Sequence, residues 1–199
     1  TAAVIADNRF SVLNSDSGFS PLAYPWGWPL LLAPFVHVWG FDYDRLKLVE
    51  VAAFCLWLVL LHGIVRRRLG PILAFAVTAV FATAPEFLEH TDQLLSEFPH
   101  LAAVAAVIWW YDRLRADGSL LTASIGRLAV LGGLVAVAFN IRRESIVLLA
   151  VIGVMQLVDL WRETTDHHPA TLASSIRRER RRLLTPHLTF AAAVVTFQL

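Results

Sequence analysis

Long apolar runs separated by short charged stretches dominate the chain. Runs at 48–65, 70–85, 98–111, 120–141 and 145–161 carry few ionisable groups. A bilayer core takes roughly 20 mostly apolar residues per helix, fewer when flanking side chains snorkel. The pattern therefore predicts five membrane-crossing helices. The third is short unless Leu94 and Leu95 join it. After Pro186 an apolar run of about 13 residues, His187 to Leu199, is too short to cross by itself and is expected to be part of a sixth span. The stretch from Asp7 to Phe41 is different: it is rich in tryptophan and in turn formers, among them Asn14-Ser15-Asp16-Ser17-Gly18, and cannot cross lipid. Within it Leu30 to Gly40, with His37 and Trp39, suits a helix lying in the membrane interface.

Composition agrees with the pattern. The 199 residues are 57% hydrophobic and 17% charged, with mean hydropathy +0.59, which excludes an ordinary soluble enzyme. The 17 basic and 16 acidic residues leave a formal charge of +1, without the basic face that nucleic-acid binding needs. Cys55 is the only cysteine, so neither an intrachain disulfide nor a cysteine metal cluster can form. The chain begins at Thr1 and its one methionine is Met155. A fragment is expected, with a helix missing before Thr1.

Orientation follows the arginines, because basic loops stay in the cytoplasm. Arg66 to Arg68 close the first span, Arg113 and Arg115 the third, and Arg162 with the tract Arg177, Arg178, Arg180, Arg181 and Arg182 follows the fifth. Alternating spans put all of these on one side. Residues 1–47, 86–97 and 140–144 are then extracytoplasmic, at the cost of leaving Arg142 and Arg143 outside. The basic loop at about 162–184 reads as a cytoplasmic connector near anionic headgroups.

Three groups of residues are candidates for chemistry. In Tyr24-Pro25-Trp26-Gly27-Trp28-Pro29 two prolines predict a stiff elbow, with Gly27 allowing a tight turn; an aromatic belt at the headgroups is the plainer account. The second outer loop carries Glu86, Glu89, His90, Asp92, Glu97 and His100. As one helix, Glu86, His90, Gln93, Glu97 and His100 would share a face, although Pro99 in a first turn and Ser96 as a cap would break it there. Ionisable groups at such depth are costly and usually line a cavity or pair. Asp92 and Glu97, nearest the membrane, are the stronger candidates, against the bland reading of a solvated loop. His90, Glu97 and His100 have metal-binding chemistry but match no standard spacing. Arg142 and Arg143 form the third group, since adjacent forked guanidinium donors suit a phosphate. Pairing with Glu144 or Asp92 explains one of these arginines better than two.

Taken in order, Tyr24-Pro25-Trp26-Gly27-Trp28-Pro29-Leu30-Leu31-Leu32-Ala33-Pro34, the Gly40-Phe41-Asp42 turn, Arg66-Arg67-Arg68-Leu69-Gly70, Pro85, Asp92, Ser96-Glu97 and Ile141-Arg142-Arg143-Glu144 resemble the GT-C membrane glycosyltransferases. The protein mannosyltransferase and aminoarabinose transferase branch is the most similar. The resemblance runs from Phe10 to about Leu160, and the YPWGWPLLLAP string is its most specific part. It implies an all-α, polytopic transmembrane bundle: a first extracytoplasmic loop with interfacial helix over 1–47, and a helical membrane region over 48–199. It also implies transfer of a sugar from a polyprenyl-phosphate donor to a lipid, glycan or protein acceptor, outside a bacterial inner membrane.

By the resemblance, Asp92 and Glu97 are catalytic, Arg142 and Arg143 hold the lipid phosphate, and Tyr24, Trp26 and His100 line the cavity. Relatives carry a principal acid in the first outer loop. Asp7 lies too near the Tyr24-Pro25 element to fill that position, so this acid is expected upstream of Thr1, and an isolated chain without it is expected to be inactive. No cofactor is certain; a divalent metal ion is compatible, and no nucleic-acid partner is expected. The rival readings are a transporter or flippase-like protein, which internal repeats would favour though none is evident, and a non-catalytic scaffold.

Overall fold

The computed structural model describes residues 25–167 and 172–198, and among these the chain is helical without a strand. Tyr24, Asp7 and the Asn14 to Gly18 turn formers lie outside the described residues. The helices are α1 (Gly27–Trp39), α2 (Tyr43–Leu69), α3 (Pro71–Thr83), α4 (Pro85–Thr91), α5 (Glu97–Ala116), α6 (Ile125–Ile141), α7 (Ile146–His167) and α8 (Leu172–Gln198), with a 3-10 turn at Arg143–Ser145. Two compact units divide them, one of residues 1–106 with 140–142, the other of 107–139 with 143–199.

Two stretches, Tyr43–Leu69 and Arg143–Arg162, are long and apolar enough to cross a membrane. Pro71–Thr83 and Pro85–Thr91, bent by 58°, make a third if they act as one broken span. These helices mark a membrane protein. The other two expected spans fall on helices of a different kind. α5 carries Glu97, His100, Asp112, Arg113 and Arg115 around its apolar middle, and α6 is only 17 residues long.

In the first unit, helix ends follow from local chemistry. The expected elbow is not extended throughout: a helix starts at Gly27, and Pro29 is tolerated because the first-turn N–H groups have no intrahelical partner. Gly27 serves close packing more than turning, since a Cβ there would lie 2.5 Å from the carbonyl carbon and oxygen of Asn140. Gly40, at φ 68°, ends α1 in a conformation that costs glycine little. Asp42 then caps α2 by accepting from the Arg45 N–H at 3.3 Å, so the helix starts five residues before the apolar run. Arg66 to Arg68 occupy its last turn, where the helix dipole favours cations.

α1 packs on α2 through Leu32, Val36, Leu46 and Val49. Further along, α2 meets α3, α4 and α5 in an aromatic cluster: Trp57 stacks on Phe87 at 5.5 Å and Phe54 approaches Phe98 at 4.7 Å. On the loop after α4 the anticipated single polar face is interrupted, because residues 92–96 leave the helix. α5 restarts at Glu97 with Pro99 in its first turn, and the His100 N–H returns to the Ser96 carbonyl at 3.0 Å.

The second unit has its own core of Val107, Leu114, Leu120, Leu128, Leu131, Val135, Ile152 and Phe190. The helix expected from residue 120 begins only at Ile125, although Leu120 and Leu121 are buried. Buried Asp159 of α7 explains this: it accepts from the Leu120 N–H at 3.0 Å and pairs with Arg115, holding the preceding turn out of the helix. The basic stretch expected as a connector is largely helical, and α8 runs through Pro186. Proline cannot donate to the carbonyl four residues back. Gln156 Nε2 takes over, reaching the carbonyls of Arg182 and Leu183 at 3.4 and 3.3 Å.

Candidate functional site

The two acids favoured from sequence, Glu97 and Asp92, take different partners in the first unit, and Glu50, which sequence reasoning did not single out, is buried in the same unit. Glu97 stands in the first turn of α5, where the helix dipole favours an anion. Its Oε1 accepts from Arg142 Nη1 at 2.7 Å, and both side chains are about one-third exposed, 36% and 35%. Glu97 Oε2 points inward, is buried and has no hydrogen-bond partner.

Glu50 of α2, one turn before the Phe54 ring that approaches Phe98, is fully buried, with neither carboxylate oxygen hydrogen-bonded. Leu46, Glu50, Phe54 and Trp57 follow helical steps of four, four and three, so Glu50 occupies the centre of the apolar stripe that α2 buries. An unpartnered polar group there costs about 1–3 kcal/mol and an uncompensated charge more. The signal was present in the sequence: Glu50 is the sole acid between Leu48 and Val65.

Asp92 has a different partner. It follows α4, is 78% exposed at its side chain and accepts from Lys47 Nζ at 2.7 Å. Lys47 also lies 4.8 Å from the Tyr43 ring centre, and the Tyr43 hydroxyl accepts from the Leu94 N–H at 3.3 Å. These contacts fasten the loop before α5 to the start of α2. Asp92 therefore meets a lysine, and Glu97 is the acid that meets Arg142.

Among the remaining candidates, Trp26 is half-buried just before α1, and His100 is half-buried one turn beyond Glu97. Arg143 is exposed in the 3-10 turn of the second unit. Glu86, Glu89 and His90 are exposed. The His90, Glu97 and His100 metal grouping is not formed: no three His, Cys, Asp or Glu residues are arranged to hold a metal among the described residues. His90 Nδ1 instead meets the Glu86 carbonyl of its own helix at 2.7 Å. Among the described residues, therefore, no ligand set matches a divalent metal.

Comparison with known proteins gives no matching family model, no similar curated protein and no similar solved structure.

Proposed function

We propose that this chain is part of a GT-C-type glycosyltransferase of the bacterial inner membrane, transferring a sugar from a polyprenyl-phosphate donor to an acceptor outside the cell. The contact between Glu97 and Arg142 at 2.7 Å supports this reading most directly. Transfer needs a base for the acceptor hydroxyl or amine and a cation for the leaving phosphate. At rest each group neutralises the other. An arriving donor phosphate would draw Arg142 away from Glu97, because a guanidinium binds phosphate through two parallel donors. Glu97, released from the guanidinium, takes the proton as the acceptor oxygen or nitrogen bonds to the sugar carbon, and the carbon–phosphate-oxygen bond breaks with its electron pair on the phosphate. Asp92, held by Lys47, positions the loop that carries Glu97.

The test is binding of polyprenyl phosphate to the purified chain in detergent, which needs no turnover. Arg142→Ala should weaken binding at least tenfold, while Arg67→Ala in the last turn of α2 should not. Equal affinity for Arg142→Ala and the unaltered chain would remove the donor site.

A transporter or flippase-like protein is the second reading, favoured by Glu50, because a buried acid in a membrane-crossing helix commonly lines a substrate or ion path. Uptake of donor lipid across proteoliposomes without sugar transfer would select it.

A further inference from the structure

We propose that α8 carries a docking surface for anionic phospholipid, with its arginine tract on the headgroup phosphates and the helix passing into hydrocarbon from Leu184 onward. The tract Arg177, Arg178, Arg180, Arg181 and Arg182 encloses one acid, Glu179, whose Oε2 accepts from Arg182 Nη1 at 2.9 Å. Arg180 and Arg181 are exposed. From Arg181 an exposed row continues at helical steps of three, four, three and four through Leu184, Leu188, Ala191 and Val195. One face of α8 therefore changes from cationic to apolar within a single turn. A soluble acidic partner could meet the arginines, but it would leave Leu188 and Val195 uncovered at 62% and 54% exposure. A phospholipid covers both parts of the row, phosphate against guanidinium and acyl chain against leucine and valine.

Packing within the second unit puts the tract at headgroup level. α8 runs antiparallel to α7: Gln156 meets the carbonyls of Arg182 and Leu183, while Gly153, one turn earlier on α7, faces the His187 ring one turn later on α8. The stretch of α7 that is long and apolar enough to cross a membrane ends at Arg162. That residue lies six positions beyond Gln156, about 9 Å along the helix axis. Six positions back along α8 from Leu183 is Arg177, so the tract comes level with the end of the crossing stretch. Trp161 and Arg162, both exposed, mark the same level, and tryptophan and arginine are the side chains that favour a membrane–water boundary. Leu184 to Val195 then runs beside the apolar part of α7. Arg142 and Glu97 belong to the first unit, so the inference does not rest on the glycosyl-transfer reading.

Binding of phosphatidylglycerol to the purified chain in uncharged detergent tests it, with phosphatidylcholine of the same acyl chains as the comparison lipid. The anionic lipid should bind more tightly. Arg180→Gln combined with Arg181→Gln should weaken that binding roughly tenfold or more, since each arginine at an anionic surface is worth about a factor of five. Arg180→Lys combined with Arg181→Lys keeps the charge and should keep most of the affinity. Glycerol phosphate, the headgroup without its chains, should compete poorly. Equal affinity for the two lipids, undiminished binding by the glutamine pair, or equal loss in the lysine pair overturns the proposal. Displacement by glycerol phosphate as readily as by the lipid also overturns it, because the site would then be one for a soluble anion.

Discussion

Gly27 meets the backbone of Asn140 so closely that a methyl group on it would collide with the carbonyl of the latter at 2.5 Å. The contact sets the start of α1 against the end of α6, two residues before Arg142. Gly27→Ala should therefore destabilise the protein by about 1–3 kcal/mol, the usual cost of overpacking. Gly126→Ala is the control: nothing lies within 4 Å of its Cβ position, and removing a helix glycine should raise stability by roughly 0.5–1 kcal/mol. Thermal melts in detergent would decide, and equal behaviour of the two variants would contradict the close approach.

Gln156 and Pro186 are energetically linked. Gln156→Leu should cost about 1–3 kcal/mol, because two helix carbonyls and the His187 ring at 3.1 Å lose their partner. Pro186→Ala restores a backbone donor for the Arg182 carbonyl, so the Gln156→Leu penalty should shrink in that background. A double-mutant cycle measures the coupling. Strict additivity would show that the glutamine does not compensate for the proline.

Asp159→Asn tests how the turn at 117–124 is held. The buried carboxylate serves the Leu120 N–H and Arg115 together, and breaking a buried pair costs roughly 3–5 kcal/mol. Faster amide exchange should appear at Leu120 and spare α2. Exchange unchanged at Leu120 would argue that the turn is held by Trp110, whose indole donates to the Arg127 carbonyl at 3.0 Å.

Glu97→Gln separates stability from function. Its ion pair with Arg142 is about one-third exposed, so its removal should cost no more than ~1 kcal/mol. Sugar transfer by the full-length protein should nevertheless fall by about a hundredfold or more, as expected when a general base is lost. Undiminished transfer would clear Glu97 of a chemical role.

Topology can be read at Glu89, which is exposed. With Cys55 replaced, since it too is exposed, a cysteine at 89 should react with an impermeant thiol reagent applied outside intact cells. Labelling only after permeabilisation would invert the proposed orientation.

The apolar runs were enough to reveal helices and a membrane protein, because burying some 20 apolar residues per helix is a property of the chain alone. One local signal also placed an end, Pro99 in a first turn, whereas Pro85, expected at the close of an apolar run, starts a helix of its own. Partner choice was a different matter. The sequence places Asp92 and Glu97 in one outer loop, yet only the folded chain gives Lys47 to Asp92 and Arg142 to Glu97, across 45 residues in each case. Glu50 makes the same point from the other direction. Its sequence marks an acid within an apolar run, but whether that acid faces lipid, water or a second carboxylate depends on which helices pack against α2. That packing is a sum of many distant contacts, and no local pattern encodes it.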